Sequence, residues 1–165
     1  MLKYVDTMVT FSEFPNEISL CINISNCPHR CINCHSAYLQ GDIGAELTTR
    51  KLSEMLEYNA GITCVGFLGG DQAPEEINTL AKFVHESYPE IKVGWYSGNT
   101  KLAKEINLEY FDYYKIGPYI EKYGPLTSPI TNQRFYSKGK NLHKLDAIET
   151  NWYDVTNWFW PKESF

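Results

Sequence analysis

A chain of 165 residues, 43% hydrophobic and 21% charged, is long enough for one domain with a real core, and its composition is ordinary for a folded soluble protein. Fifteen basic against twenty acidic residues leave a formal charge of −5, which argues against bulk nucleic-acid binding, since that needs a basic footprint to displace counterions. No run approaches the roughly 20 apolar residues of a membrane span, and the opening stretch, with Asp6 and Glu13 and no apolar block, does not read as a secretory signal, so the expected compartment is the cytoplasm. Five cysteines, an odd number, read there as ligands or free thiols rather than a disulfide framework.

The first clear element is a strand over residues 18–24, where Ile18, Leu20, Ile22 and Ile24 alternate with Ser19, Cys21 and Asn23. An irregular segment runs to about Leu47, and Thr48 or Thr49 then caps a helix with Leu52, Met55 and Leu56 at helical spacing. The apolar run Cys64 to Leu68 predicts a buried strand ending in Gly69-Gly70-Asp71. Pro74 opens a second helix with Ile77, Leu80, Ala81 and Val84 on one face. Ile91, Val93 and Trp95 alternate as a third strand broken by Ser97-Gly98-Asn99. Thr100 to Ile106 predicts a short helix, and Asp112 to Ile116 a fourth strand. Alternating strands and helices predict one α/β domain over residues 1–165, with an open, mostly parallel sheet and outer helices. Such sheets carry their chemistry at the carboxyl ends of the strands, where the cysteine loop, Gly69-Gly70-Asp71 and Ser97-Gly98 all fall.

Cys27, Cys31 and Cys34 form a C-x3-C-x2-C triplet directly after the first strand. Iron–sulfur clusters usually take four cysteines, and this loop supplies three, which leaves one iron open to a ligand. The simpler reading is a Cys3His zinc site completed by His29 or His35, although zinc sites usually draw on two knuckles and this chain has one triplet. Cys21 and Cys64 sit in strand patterns and read as core thiols, with Cys21 near enough to act as a fourth ligand.

With the glycine-rich acidic turn after the next strand, these residues resemble the radical S-adenosylmethionine superfamily. The closer resemblance is to the activating enzymes of anaerobic (class III) ribonucleotide reductases. It rests on Cys27 to His35, Phe67 to Asp71, Gly94 to Gly98, Lys115 to Ile120 and Thr131 to Arg134, in order from about residue 17 to 136. The resemblance implies a partial (β/α) barrel with a [4Fe–4S] cluster on Cys27, Cys31 and Cys34, and S-adenosyl-L-methionine bound at the open iron. It places Gly69, Gly70 and Asp71 at the amino group of that ligand, His35 near its adenine, and Ser97 beside its methionine or ribose part. It implies reductive cleavage of S-adenosylmethionine and formation of a glycyl radical on the large subunit of the reductase, with electrons from a flavodoxin or ferredoxin. Two departures stand out. Asp71 replaces the more usual Glu, and Ile116, preceded by Lys115, replaces an Asp before Gly117.

Lys115 reads either as a contact for a ligand carboxylate or as a snorkelling surface residue. His85 and His143 read as surface residues, and Glu75-Glu76 as a helix start. The tail from Asn151 places five aromatics in residues 152–160, to be packed on the domain or used for docking. The rival enzyme reading is an activase of another glycyl-radical enzyme, such as pyruvate formate-lyase. The rival outside catalysis is a zinc or electron-transfer module.

Overall fold

The computed structural model describes residues 1–139 and 152–162. Its elements are β1 (Lys3–Thr10), β2 (Ser19–Ile24), β3 (Ala45–Glu46), α1 (Thr49–Tyr58), β4 (Cys64–Leu68), α2 (Pro74–Ser87), β5 (Lys92–Tyr96), β6 (Tyr113–Ile116), β7 (Arg134–Lys138) and β8 (Trp152–Asp154). All eight strands join one sheet in the order β3-β1-β2-β4-β5-β6-β7-β8.

The expected mostly parallel sheet, and with it the partial barrel ringed by helices, is not what forms. Only the β2–β4, β4–β5 and β5–β6 pairings are parallel, while β1–β2, β1–β3, β6–β7 and β7–β8 are antiparallel. Each parallel pairing needs a crossover, and among the described residues only two crossovers contain an α-helix, α1 before β4 and α2 before β5. The helix expected over residues 100–106 is a run of bends and turns, followed by a 3-10 turn at Leu108–Tyr110. A seven-residue stretch is too short to hold a helix by propensity alone, and Asn99, just before it, is drawn instead to Ser97 and Asp71.

The two helices cover one face of the sheet. Leu52, Met55 and Leu56 of α1 and Ile77, Leu80, Ala81 and Val84 of α2 pack with Leu20, Ile22, Ile24, Val65, Phe67, Val93 and Trp95. Thr48 is the cap of α1, its hydroxyl accepting from the Lys51 N–H at 3.1 Å. Glu75 and Glu76 lie in the first turn of α2, where carboxylates complement the helix dipole.

The opposite face has its own core. In register across the central strands stand Cys21, Gly66, Gly94, Tyr113 and Ser137. The two glycines leave a slot that Phe14 fills, reaching over from the β1–β2 connection; a Cβ at Gly66 or Gly94 would run into its ring. Phe14 also meets the rings of Tyr96, Tyr113 and Phe135 at centroid distances of 5.2, 5.7 and 6.0 Å. With both faces covered, all six residues of β2 are buried. Cys21 and Cys64 are core thiols, as expected.

The aromatic tail packs on the sheet: Tyr114 and Trp152 approach to 4.8 Å, as do Phe135 and Phe159. His85 is exposed, whereas His143 and Asn151 lie outside the described residues. No helix among the described residues is long and apolar enough to cross a membrane.

Candidate metal and cofactor site

The cysteine segment leaves β2 through three residues in the left-handed region, Asn26 (φ 61°), Arg30 (φ 46°) and Asn33 (φ 56°). Side chains rarely adopt that conformation. Backbone that alternates into this region is the kind that builds nests of N–H groups for anions and iron–sulfur groups. Burial pushes the Cys27 thiol up, and the neighbouring backbone N–H groups of His29 and Arg30 pull it back in part. Cys27, Cys31 and Cys34 are all free, partly exposed, and on the wall of one cavity of about 470 Å³.

The donor set fits the group the resemblance implies. Three thiols and a nest of N–H groups around a shared space suit an anionic cluster. No three His, Cys, Asp or Glu side chains among the described residues gather at the spacing of a single metal ion.

The loop is pinned at three places. His29 Nε2 lies 2.8 Å from Asp71 Oδ2, Asn33 Nδ2 donates to Glu121 at 2.9 Å, and the His35 ring stands 5.5 Å from that of Tyr119. Gly98 makes the first contact possible, because a Cβ there would strike the His29 ring.

Asp71 is the hub of this end of the sheet. Its side chain is 3% exposed and accepts from Ser97 Oγ at 2.5 Å, the Gly98 N–H at 2.8 Å and Asn99 Nδ2 at 3.2 Å, besides its contact with His29. Asp71 and Ser97 are therefore committed to each other and not presented to the cavity as free ligand groups. The Gly69 carbonyl accepts from Trp95 Nε1 at 2.8 Å. Gly70 has φ 96° and sits against Ile77 of α2, where a Cβ would clash. The glycine turn thus brings α2 close and carries Asp71 to the loop. Of the residues expected to touch a cofactor, the three cysteines, His35, Gly69, Asp71 and Ser97 line the cavity.

Three further residues on the wall were given no settled role from sequence. Lys115 is buried, which pushes its ammonium down to about 8 against the pull of Asp71 and the three cysteines, and its Nζ donates to the Gly117 carbonyl at 2.8 Å. It is not a surface lysine. Glu13 faces the same space and is pushed up by burial, with Tyr96 and Lys115 opposing. Gln133 is the third. The one signal for them in the sequence is that Gly117 and the Thr131–Arg134 run fall beside strand ends. Compared with models of known protein families, with curated proteins and with solved structures, the chain finds no match.

Proposed function

We propose that this chain is a cytoplasmic radical S-adenosylmethionine enzyme that activates a glycyl-radical partner, the large subunit of an anaerobic ribonucleotide reductase. The observation that carries the reading is the cavity whose wall holds three free thiols on a nest-forming loop, at the carboxyl ends of parallel strands. When bound, a [4Fe–4S] cluster and S-adenosylmethionine would supply one-electron cleavage of a sulfonium carbon–sulfur bond and, through it, removal of a hydrogen atom from a glycine of the partner.

The residues of the chain divide that work. Cys27, Cys31 and Cys34 are the residues that would hold the cluster, as thiolates. The N–H groups at His29 and Arg30 stabilise the negative charge of that assembly. Asp71 is a positioning residue: through His29 it fixes the loop to the ends of β4 and β5. Lys115 supplies a buried cation for an anionic cluster or a ligand carboxylate. The His35–Tyr119 pair offers aromatic surface at the rim for a flat base.

The test is anaerobic reconstitution with iron and sulfide, then addition of dithionite and S-adenosylmethionine. The expected result is about four irons and four sulfides per chain and formation of 5′-deoxyadenosine. Replacing Cys27, Cys31 or Cys34 with Ala removes that product, and a reductase large subunit gains a glycyl-radical signal only with the wild type. A fully loaded wild type that forms no 5′-deoxyadenosine with a reductase present sinks the reading. One zinc per chain in place of iron replaces it with the zinc module.

A further inference from the structure

Above Phe14 the inward positions of the sheet rise in layers. In the layer with Asn23, Leu68, Tyr96, Lys115 and Phe135 in register, all but Phe135 line the cavity. Two residues on from Tyr96 and Lys115, and two before Phe135, stand Gly98, Gly117 and Gln133. Two of these three positions have no side chain. The third carries a carboxamide into the space.

Gln133 is 6% exposed and lines the cavity. Its side-chain amide has no hydrogen-bond partner among the described residues, though its atoms are not sealed off. Groups on its neighbours hold the backbone in place, although the Asn132 Oδ1 is itself buried without a partner. The Thr131 hydroxyl accepts from the Gln133 N–H at 3.1 Å, and Asn132 Nδ2 donates to the Pro118 carbonyl at 2.9 Å. Arg134 Nη1 donates to the carbonyls of Thr131 and Gln133 at 2.9 and 2.8 Å. Opposite Gln133, Gly117 has φ 108°, and a Cβ there would stand 3.1 Å from the Gln133 Cα. The Gln133 backbone is thus held in place while its carboxamide, on the cavity wall, keeps its donors and its acceptor free for a bound group.

We infer that the Gln133 carboxamide binds the main chain of the polypeptide substrate at its reacting glycine, donating to a carbonyl and accepting from an N–H of one peptide edge. The inference rests on the proposed function. A glycine offers no side chain to grip, so its peptide groups are all an enzyme can hold, and a primary amide presents the matching donor and acceptor. Lys115 and the N–H nest answer negative charge, and the His35–Tyr119 pair suits a flat base. The carboxamide is the neutral two-way group among them. An adenine edge has the same donor–acceptor chemistry, and the experiment separates the two sources.

The experiment takes the cluster-loaded protein with S-adenosylmethionine and two heptapeptide probes, one with a central glycine and one with sarcosine there, which lacks the N–H. Peptide affinity is measured by calorimetry without reductant, for wild type, Gln133→Leu and Gln133→Glu. The expected result is about a tenfold loss for Gln133→Leu with the glycine peptide, as for one lost hydrogen-bonded pair. Sarcosine weakens the wild type by a similar factor and has less effect on Gln133→Leu, the coupling of a direct contact. Gln133→Glu keeps the acceptor and retains more of the sarcosine penalty than Gln133→Leu.

Independent losses from the two changes overturn the inference. A wild type that cleaves S-adenosylmethionine but binds neither peptide overturns it as well. If Gln133→Leu weakens S-adenosylmethionine more than peptide, the carboxamide belongs to the adenine. A wild type that forms no 5′-deoxyadenosine fails the proposed function instead, and the two failures are told apart.

Discussion

The two ends of the central strands each hold a buried carboxylate, Glu17 before β2 and Asp71 after β4, and they use it differently. Residues 11–18, between β1 and β2, place Phe14 fully inside the core. They also place Glu17 where it accepts from Lys92 at 2.5 Å, from Thr63 at 2.6 Å and from Tyr113 at 2.6 Å. After β2, the cysteine loop brings three free thiols and an exposed Ile32 to the other end, and Asp71 holds it largely through His29. The same device, a carboxylate saturated by donors from several elements, closes one end for stability and positions a loop at the other. A carboxylate's burial and hydrogen bonding therefore do not distinguish a structural role from a functional one. What it holds does.

The comparison predicts where stability resides. Phe14→Ala is the largest expected loss, about 3–5 kcal/mol, since a fully buried ring is removed from a slot shaped by two glycines. Urea denaturation reads it, and Phe14→Leu, which keeps most of the volume, costs clearly less. Equal tolerance of both substitutions would mean that this end is not the anchor.

Glu17→Gln comes next, at about 2 kcal/mol at neutral pH. Burial alone would raise the Glu17 carboxyl, but hydrogen bonds from Lys92, Thr63 and Tyr113 outweigh it and hold it below the usual carboxylate range. A folded value below the unfolded one means that the contribution is complete above the unfolded value of about 4.3. It is lost as pH falls through the folded value. The stability gap between wild type and Glu17→Gln therefore closes in acid below about pH 4. A gap that persists there would assign the effect to packing instead of charge.

Much of the site was legible because glycines and thiols leave local marks. The triplet spacing, the Gly69-Gly70 turn and Gly98 all fell beside strand ends, and the structure gathers them around one cavity. Four strands, β2, β4, β5 and β6, lie close to the expected runs. The outer strands escaped notice for a physical reason. In β1 the run Lys3 to Thr10 mixes Asp6 and Thr7 with Met8 and Val9, and four of its residues in a row are exposed, so no period of two marks it. In β7 the apolar signal reduces to Phe135 and Tyr136 among polar neighbours. Sheet direction was out of reach for the same reason, since it depends on those unrecognised edges. Asp71 was identified as a site residue, but its partner His29 lies 42 residues away in sequence and no spacing rule joins them.

The comparison is sharpest at Asp71. Asp71→Asn keeps the volume and part of the hydrogen bonding to Ser97 and Asn99, so its stability cost should be the smallest of the three, about 1 kcal/mol. Its effect on the loop should be disproportionate, because an amide whose one oxygen stays with Ser97 and Asn99 turns its NH2 toward the Gly98 N–H and His29, where the carboxylate had an acceptor. Hydrogen exchange at residues 27–35 should speed up while exchange in β2 and β4 stays slow, as expected when one local unit opens without the core. Iron retained after reconstitution should fall in step with that exchange. Uniform acceleration across the sheet would make Asp71 a second Glu17, and the two ends would then be doing the same work.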